Sequence, residues 1–254
     1  MVEVLWNRLT APELNELAAA DAIVLLPVAS TEQHGPHLAT GVDTLLCGEA
    51  CRRTALLMAA KRPVVVAPVV WMGLAEHHVA FGGTFSLSLD TWHAVLKELC
   101  QSIGRAGFSK IVIVNGHGGN MAALAALTTD LTRETGIAIA TTSYWNIPHE
   151  TGAFAEILDT QTGVQHACEA ETSMMMAVSD DCVRHDRLDA AHGPNAPMGA
   201  ALGGALTLWR SFKDKTPSGV LGDARVATAE KGEKLLDSAA QSLAEELLSG
   251  RHWT

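Results

Sequence analysis

No uninterrupted apolar run in the 254-residue chain approaches the roughly 18 residues that a membrane span requires, although hydrophobic residues make up 48% of it. The opening residues, Met1 to Arg8, lack the basic stretch and apolar core of a secretion signal, so a soluble, cytoplasmic protein is expected. Basic residues are in short supply: 18 Lys and Arg against 28 Asp and Glu give a formal charge of −10. That balance disfavours nucleic acid and anionic lipid, which reward clustered cations, and leaves small molecules as the expected partners. The cysteines, Cys47, Cys51, Cys100, Cys168 and Cys182, are odd in number and show no Cys-x-x-Cys spacing. They read as reduced thiols, with Cys47 and Cys51 packing from one helical face. Phosphate-loop Gly-Lys-Ser/Thr is also missing, as are internal repeats.

What the chain does have is an alternation of Val- and Ile-rich runs with longer segments of helical spacing. These runs lie at 22–28, 63–70, 110–114 and 137–142, and uniformly apolar stretches such as Ile111-Val112-Ile113-Val114 suit strands buried on both faces. The expected fold is therefore α/β: a three-layer α/β/α sandwich with a mostly parallel central sheet, in one domain spanning 1–254. The best-marked helix follows Asp90, a candidate cap, with Trp92, Val95, Leu96, Leu99 and Ile103 at helical spacing before Gly107. Further helices are predicted over 44–60, 120–135, 171–178 and 225–248, the last with Lys231, Glu233, Lys234, Glu245 and Glu246 on a solvated face. Between 185 and 222, Pro194, Pro197 and Pro217 among several glycines read as loop and lid material.

Three clusters carry candidate chemistry. The first directly follows the first strand: Glu32-Gln33-His34-Gly35, then Asp43. In parallel sheets ligands bind outside the carboxyl ends of strands, and residues two apart in extended chain point the same way, so Glu32 and His34 form a candidate ligand pair. Asp43 could join them or merely cap a helix. The second cluster, Asn115-Gly116-His117-Gly118-Gly119-Asn120, lies between a strand and a helix, where glycines admit a close backbone approach to a ligand. A dinucleotide loop is the rival reading, but Met121 stands where its third glycine would be. The third, His166-Ala167-Cys168-Glu169-Ala170-Glu171-Thr172-Ser173, opens a helix, and its acids could serve the helix dipole alone or pair a ligand with a proton carrier.

Together these clusters resemble the creatininase family, whose members share a Glu-x-His-Gly segment with a downstream Asp, an Asn-Gly-His loop and a His-x4-Glu-Thr-Ser segment. Gly83-Thr84 with the Ser-rich strand after it, Ser143-Tyr144-Trp145 and Ala227-Thr228-Ala229-Glu230-Lys231-Gly232 extend the resemblance over most of the chain. It implies that Glu32 and His117 bind one metal, that His34 and a late glutamate bind another, and that Asp43 bridges them. Glu171 is the first choice for that glutamate, with Glu169 as the alternative. In creatininase the loop reads Asn-Gly-His-Tyr-Glu-Asn, whereas Gly118 and Gly119 stand here. Two divalent ions, Zn²⁺ or Mn²⁺ with Fe²⁺ also compatible, suit this mixed imidazole and carboxylate set. Their four positive charges would be offset by Glu32, Asp43, Glu171 and one hydroxide.

The resemblance further implies a hydrolase in which a metal-bridging hydroxide attacks a carbonyl while His166 and Glu171 serve catalysis, His166 by carrying a proton to the departing nitrogen. Trp145, Gly118 and Gly119 are the expected substrate-binding residues. Trp145 matches one aromatic of the creatinine site, but Gly118 and Thr162 replace others, so a bulkier cyclic amide or a formamide is the expected substrate. Cyclic-ketone cleavage and peptide trimming on the same site are the alternatives. Behind them stand a non-catalytic metal protein and a nucleotide-dependent enzyme. A homohexamer is implied by resemblance only.

Overall fold

The computed structural model describes residues 2–195 and 208–253; the part of the expected lid segment from 196 to 207, Pro197 included, lies outside the described residues. Four parallel strands, β1 (Ile23–Val28), β2 (Val64–Val66), β3 (Lys110–Asn115) and β4 (Ala138–Ser143), form one sheet in the order β2-β1-β3-β4. Six of the helices are α1 (Ala11–Ala19), α2 (Val42–Met58), α3 (Leu89–Arg105), α4 (Met121–Thr135), α5 (Asn146–Glu150) and α6 (Glu169–Val178), and α7 (Ala229–Leu248) is the longest described.

Alternation along the strands builds two cores. Ile23, Leu25, Val64, Val66, Val112 and Val114 pack against α2, α6 and α7, while Val24, Leu26, Val65, Ile111, Ile113 and Ile139 pack against α1, α3 and α4. Strands β1 and β2 are buried at every position, which explains their apolar sequence, while the edge strand β4 is partly exposed and carries Thr141, Thr142 and Ser143. Helix α3 shows the packing plainly: Trp92, Leu96, Cys100 and Ile103 are its buried residues. A fully buried Leu such as Leu96 contributes about 1.5–3 kcal/mol over an exposed one.

Three local expectations are corrected. The cap of α3 is Ser88, whose hydroxyl accepts from Thr91 N, and Asp90 lies inside the first turn. Strand β2 stops at Val66, well short of 70, where Pro68 offers no N–H to continue a ladder. The Ser-rich segment after Gly83-Thr84 makes one bridge, Gly73 to Ser86, and no strand. The consequence for function comes from the strand order. β1 connects outward to β2 on one side while β3 lies on its other side, so the chain reverses its winding between β1 and β3. A crevice opens at the carboxyl ends of strands at such a reversal.

Candidate metal centre

Glu32 lies just beyond β1 and His117 just beyond β3, so both stand at this crevice, and α2 brings Asp43 in on its first turn. His117 Nδ1 is 3.2 Å from Glu32 Oε2 and 3.1 Å from Asp43 Oδ2. The other oxygen of Asp43 lies 3.1 Å from His34 Nε2, which is itself 3.9 Å from Glu171 Oε2 at the start of α6. Two groups that share Asp43 could each hold an ion, Glu32–Asp43–His117 and His34–Asp43–Glu171, and a third, Glu32–His34–His166, overlaps both through Glu32 and His34. All six residues are buried.

The two histidines are held in the same way. His34 Nδ1 is 3.1 Å from the carbonyl of Glu32, and His117 Nε2 is 3.3 Å from that of Leu74. Carbonyl oxygen only accepts, so each ring donates outward and turns its other nitrogen toward the carboxylates, as metal-bound imidazoles do. Burial opposes charging His34, yet Asp43, Glu171 and Glu32 outweigh it and hold the ring at about 9. His117 is likewise raised against the effect of burial, by Glu32 and Asp43. Burial pushes Glu171 up to about 8 and raises Glu32 too. For Asp43, burial is outweighed by His34 and His117, which keep its carboxyl below the usual carboxylate range.

The loop around His117 depends on its neighbours. Asn115 donates to the carbonyl of His117 at 2.8 Å and accepts from its N–H at 3.1 Å, and Asn120 ties the loop to Leu74 N and Ala29 O. A Cβ at Gly116 would sit 2.5 Å from that of Cys47, and one at Gly119 would run into the His117 ring and the Leu74 carbonyl. These glycines are thus required by the close approach of α2 and of the His117 ring.

Glu169 and Glu171 separate cleanly. Glu169 is wholly engaged away from the centre, with Lys231 Nζ at 2.6 Å and bonds from Asp159 N, Thr160 N and Thr160 Oγ1. Lys231 is therefore part of a buried ion pair and not the solvated surface residue expected. Glu171 Oε2 accepts from Ala167 N at 2.5 Å, and Ala167 adopts a left-handed φ of 51°. That backbone is costly for a residue with a Cβ.

His166 Nε2 lies 2.9 Å from the carbonyl of Gln33 and 3.0 Å from the amide nitrogen of the same residue, and its Nδ1 is 3.6 Å from Glu32 Oε1. Burial, assisted by His34, keeps the ring well below its ordinary value and so neutral. Trp145, Gly118 and Gly119 line the same pocket, as does Phe212 from the expected lid segment, whose ring lies 4.8 Å from that of His166.

Two participants were missed from the sequence. His78, on a short helix after β2, points Nε2 at Glu32 Oε1 across 3.3 Å and stacks on His166 at 4.4 Å. Gln33 links the rings, its amide nitrogen lying 2.9 Å from His78 Nδ1 while also donating to the carbonyl of Gly219. Since that amide nitrogen can only donate, His78 Nδ1 accepts and its Nε2–H is the one directed at Glu32. The adjacent pair His77-His78 beyond a strand end was the available signal.

Residues 7–247 match the family model named Creatininase, described as creatinine amidohydrolase. The mycofactocin precursor peptide peptidase of Mycolicibacterium smegmatis is 32% identical over 232 residues, covering 89% of this chain and 84% of the relative. Creatinine amidohydrolase of Pseudomonas putida is 27% identical over 260 residues, covering 96% and 94%. A crystal structure of creatininase superposes with a TM-score of 0.83 at 25% identity, covering 97% of each chain. Matching creatininase structures include a zinc–zinc form and a manganese form.

Proposed function

The chain belongs to the creatininase family of hydrolases, and from that premise we propose that it is an amidohydrolase carrying two divalent ions, Zn²⁺ or Mn²⁺, at the centre described. One observation carries the reading. Both oxygens of Glu32, His34 Nε2 and Asp43 Oδ2 are buried and lack a hydrogen-bond partner among the described residues. Orphaned atoms of this kind are expensive to bury, and four of them converging from three residues fit a cationic occupant. Glu32, Asp43 and His117 would hold one ion and His34, Asp43 and Glu171 the other. Ions bound there would polarise a carbonyl and bring the pKa of water toward neutrality.

The chain's own groups supply the rest. His78 faces Glu32 with its Nε2 at 3.3 Å, without a hydrogen bond to it, while Gln33 fixes both His78 and His166. His166, neutral and with Nδ1 facing the centre, accepts a proton and passes it to the departing nitrogen; without that transfer an amide must expel a strongly basic amine. Trp145, Gly118 and Gly119 bound the space for the substrate. Thiol attack has no support: Cys168 is fully buried and burial pushes it up to about 12.

A cyclic amide or formamide is the proposed substrate. Trimming of a short peptide is the second reading, favoured by the identity to peptidases, and it breaks the same type of bond. A cytoplasmic homohexamer acting on a small molecule is the setting that goes with this proposal. The test is a hydrolysis screen with metal-reconstituted protein on cyclic amides, formamides, short peptides and cyclic ketones. Turnover of an amide that disappears on chelation supports the reading. Cleavage confined to cyclic ketones would replace it with carbon–carbon hydrolysis, and no cleavage of any class would remove it.

A further inference from the structure

A cavity of about 340 Å³ opens beside the metal centre, and Trp145 and Gln165 line both spaces. Its polar lining is made of four carboxamides, Asn146, Gln161, Gln165 and Asn195, together with Thr160, Thr162 at the rim and the exposed His149. No Asp, Glu, Lys or Arg is among the described residues that line it. Asp159, beside the lining residue Thr160, and Glu169, which accepts from Thr160, both pair with Lys231, at 2.8 and 2.6 Å.

The amides are set in place by one another and by the backbone. Gln165 Nε2 donates to Asn195 Oδ1 at 2.6 Å, Asn195 Nδ2 donates to the carbonyl of Thr160 at 2.9 Å, and Gln161 Nε2 donates to the carbonyl of Gly163 at 2.6 Å. Gln161 Oε1 is left buried without a partner, and the side chains of Asn146 and Thr162 make no hydrogen bond to another described residue. Carboxamides present donor and acceptor together, which matches another amide and matches an ion poorly. An ion entering such a lining gives up its hydration and meets no carboxylate, lysine or arginine among the described residues, whereas an amide exchanges one set of hydrogen bonds for another.

We propose that this cavity is the subsite for the part of the substrate beyond the scissile bond, and that it takes an uncharged, amide-bearing group. This rests on the amidohydrolase reading for the neighbouring centre. Gln165 and Trp145 form the passage between the two, so the scissile carbonyl lies at the metal centre while the distal amide meets Asn146 and Thr162.

Three formamides that differ only at the distal end test it: N-formylglycinamide, N-formylglycine and N-formylethylenediamine, which carry a carboxamide, a carboxylate and an ammonium group. Binding to metal-reconstituted protein is measured by calorimetry and formate release is followed in parallel. The carboxamide should bind at least tenfold more tightly than either ion. Asn146→Asp should move the preference toward the ammonium compound, and Thr162→Lys at the exposed rim toward the carboxylate. A charged compound matching the carboxamide in the parent protein, an order that neither variant moves, or no binding of any of the three overturns the subsite. Selective binding of the carboxamide with no formate released supports the subsite and counts against the amidohydrolase reading alone. Formate release without discrimination by charge does the reverse.

Discussion

Glu169→Gln and Glu171→Gln, two residues apart, should damage different properties of the protein. Glu169 is fully buried and accepts from Lys231, Asp159 N and two groups of Thr160. A Gln amide can keep the bonds made by one oxygen, but its NH₂ would then face Lys231 Nζ and Asp159 N, both donors. Two hydrogen bonds to a charged group are lost, at about 1.5–3 kcal/mol each. Lys231 retains Asp159 and the carbonyl of Val226, so the lower part of that range applies, about 3 kcal/mol in all. In a chain of this size that lowers Tm by about 6–12 °C. Metal content should not change. Glu171→Gln removes a charge from the second ion site instead; at about 4 Å and an effective dielectric near 20 this costs about 4 kcal/mol, or roughly 10³-fold in Kd. The metal-free Tm should hardly move at pH 7, because burial already keeps Glu171 protonated there, at about 8. Differential scanning fluorimetry with and without chelator, together with elemental analysis, reads both effects. Loss of metal from Glu169→Gln with full occupancy in Glu171→Gln would refute the assignment.

His166→Ala should retain metal and lower turnover of an amide by about 10²–10⁴-fold, with a smaller loss on an anilide whose leaving group needs little protonation; equal losses on both would remove the proton-carrier role. Gly119→Ala should weaken metal binding and leave secondary structure intact, because the new Cβ collides with the His117 ring and comes within 2.7 Å of His77; unchanged occupancy would show that the loop yields freely. Acidity should act in a defined direction. His34 and Glu171 rise from 6.5 to about 9 and from 4.5 to about 8 on folding without metal, so these groups hold more protons in the folded chain than in the unfolded one between about 6.5 and 9, while below 6.5 the depressed rings of His37, His77, His78 and His166 act in the opposite direction. The chelated protein should therefore lose stability as pH rises through that window, and metal affinity should rise over pH 7–9 with measurable proton release. Calorimetry in two buffers of different ionisation enthalpy checks this, and proton uptake would contradict it.

The reading of the sequence was strongest where chemistry and strand ends coincide. Glu32, His34, Asp43, His117 and Glu171 could be named because each stands beside an element that periodicity revealed, and the structure brings those five together. His78 and Gln33 were not visible, because their roles arise when the chain after β2 folds back over Glu32, a contact between positions 45 residues apart in sequence. Glu169 was left as a rival to Glu171 since both open α6, and nothing local announces that Lys231 on α7 claims the first. Layering follows from the largely apolar runs, whereas strand order was not predicted and element ends do not follow, as Pro68 and Ser88 show, because a single missing donor or a single cap decides them.

Metal content per chain is the most direct measure of the central claim, taken on parent protein and Asp43→Asn after reconstitution and removal of loose ions. Asp43 stands 3.1 Å from the ring nitrogens of both His34 and His117, so the two ion groups share it. The account predicts close to two divalent ions in the parent chain and fewer than one in the variant. One ion or none in the parent, or two retained by Asp43→Asn, would contradict a shared two-metal centre.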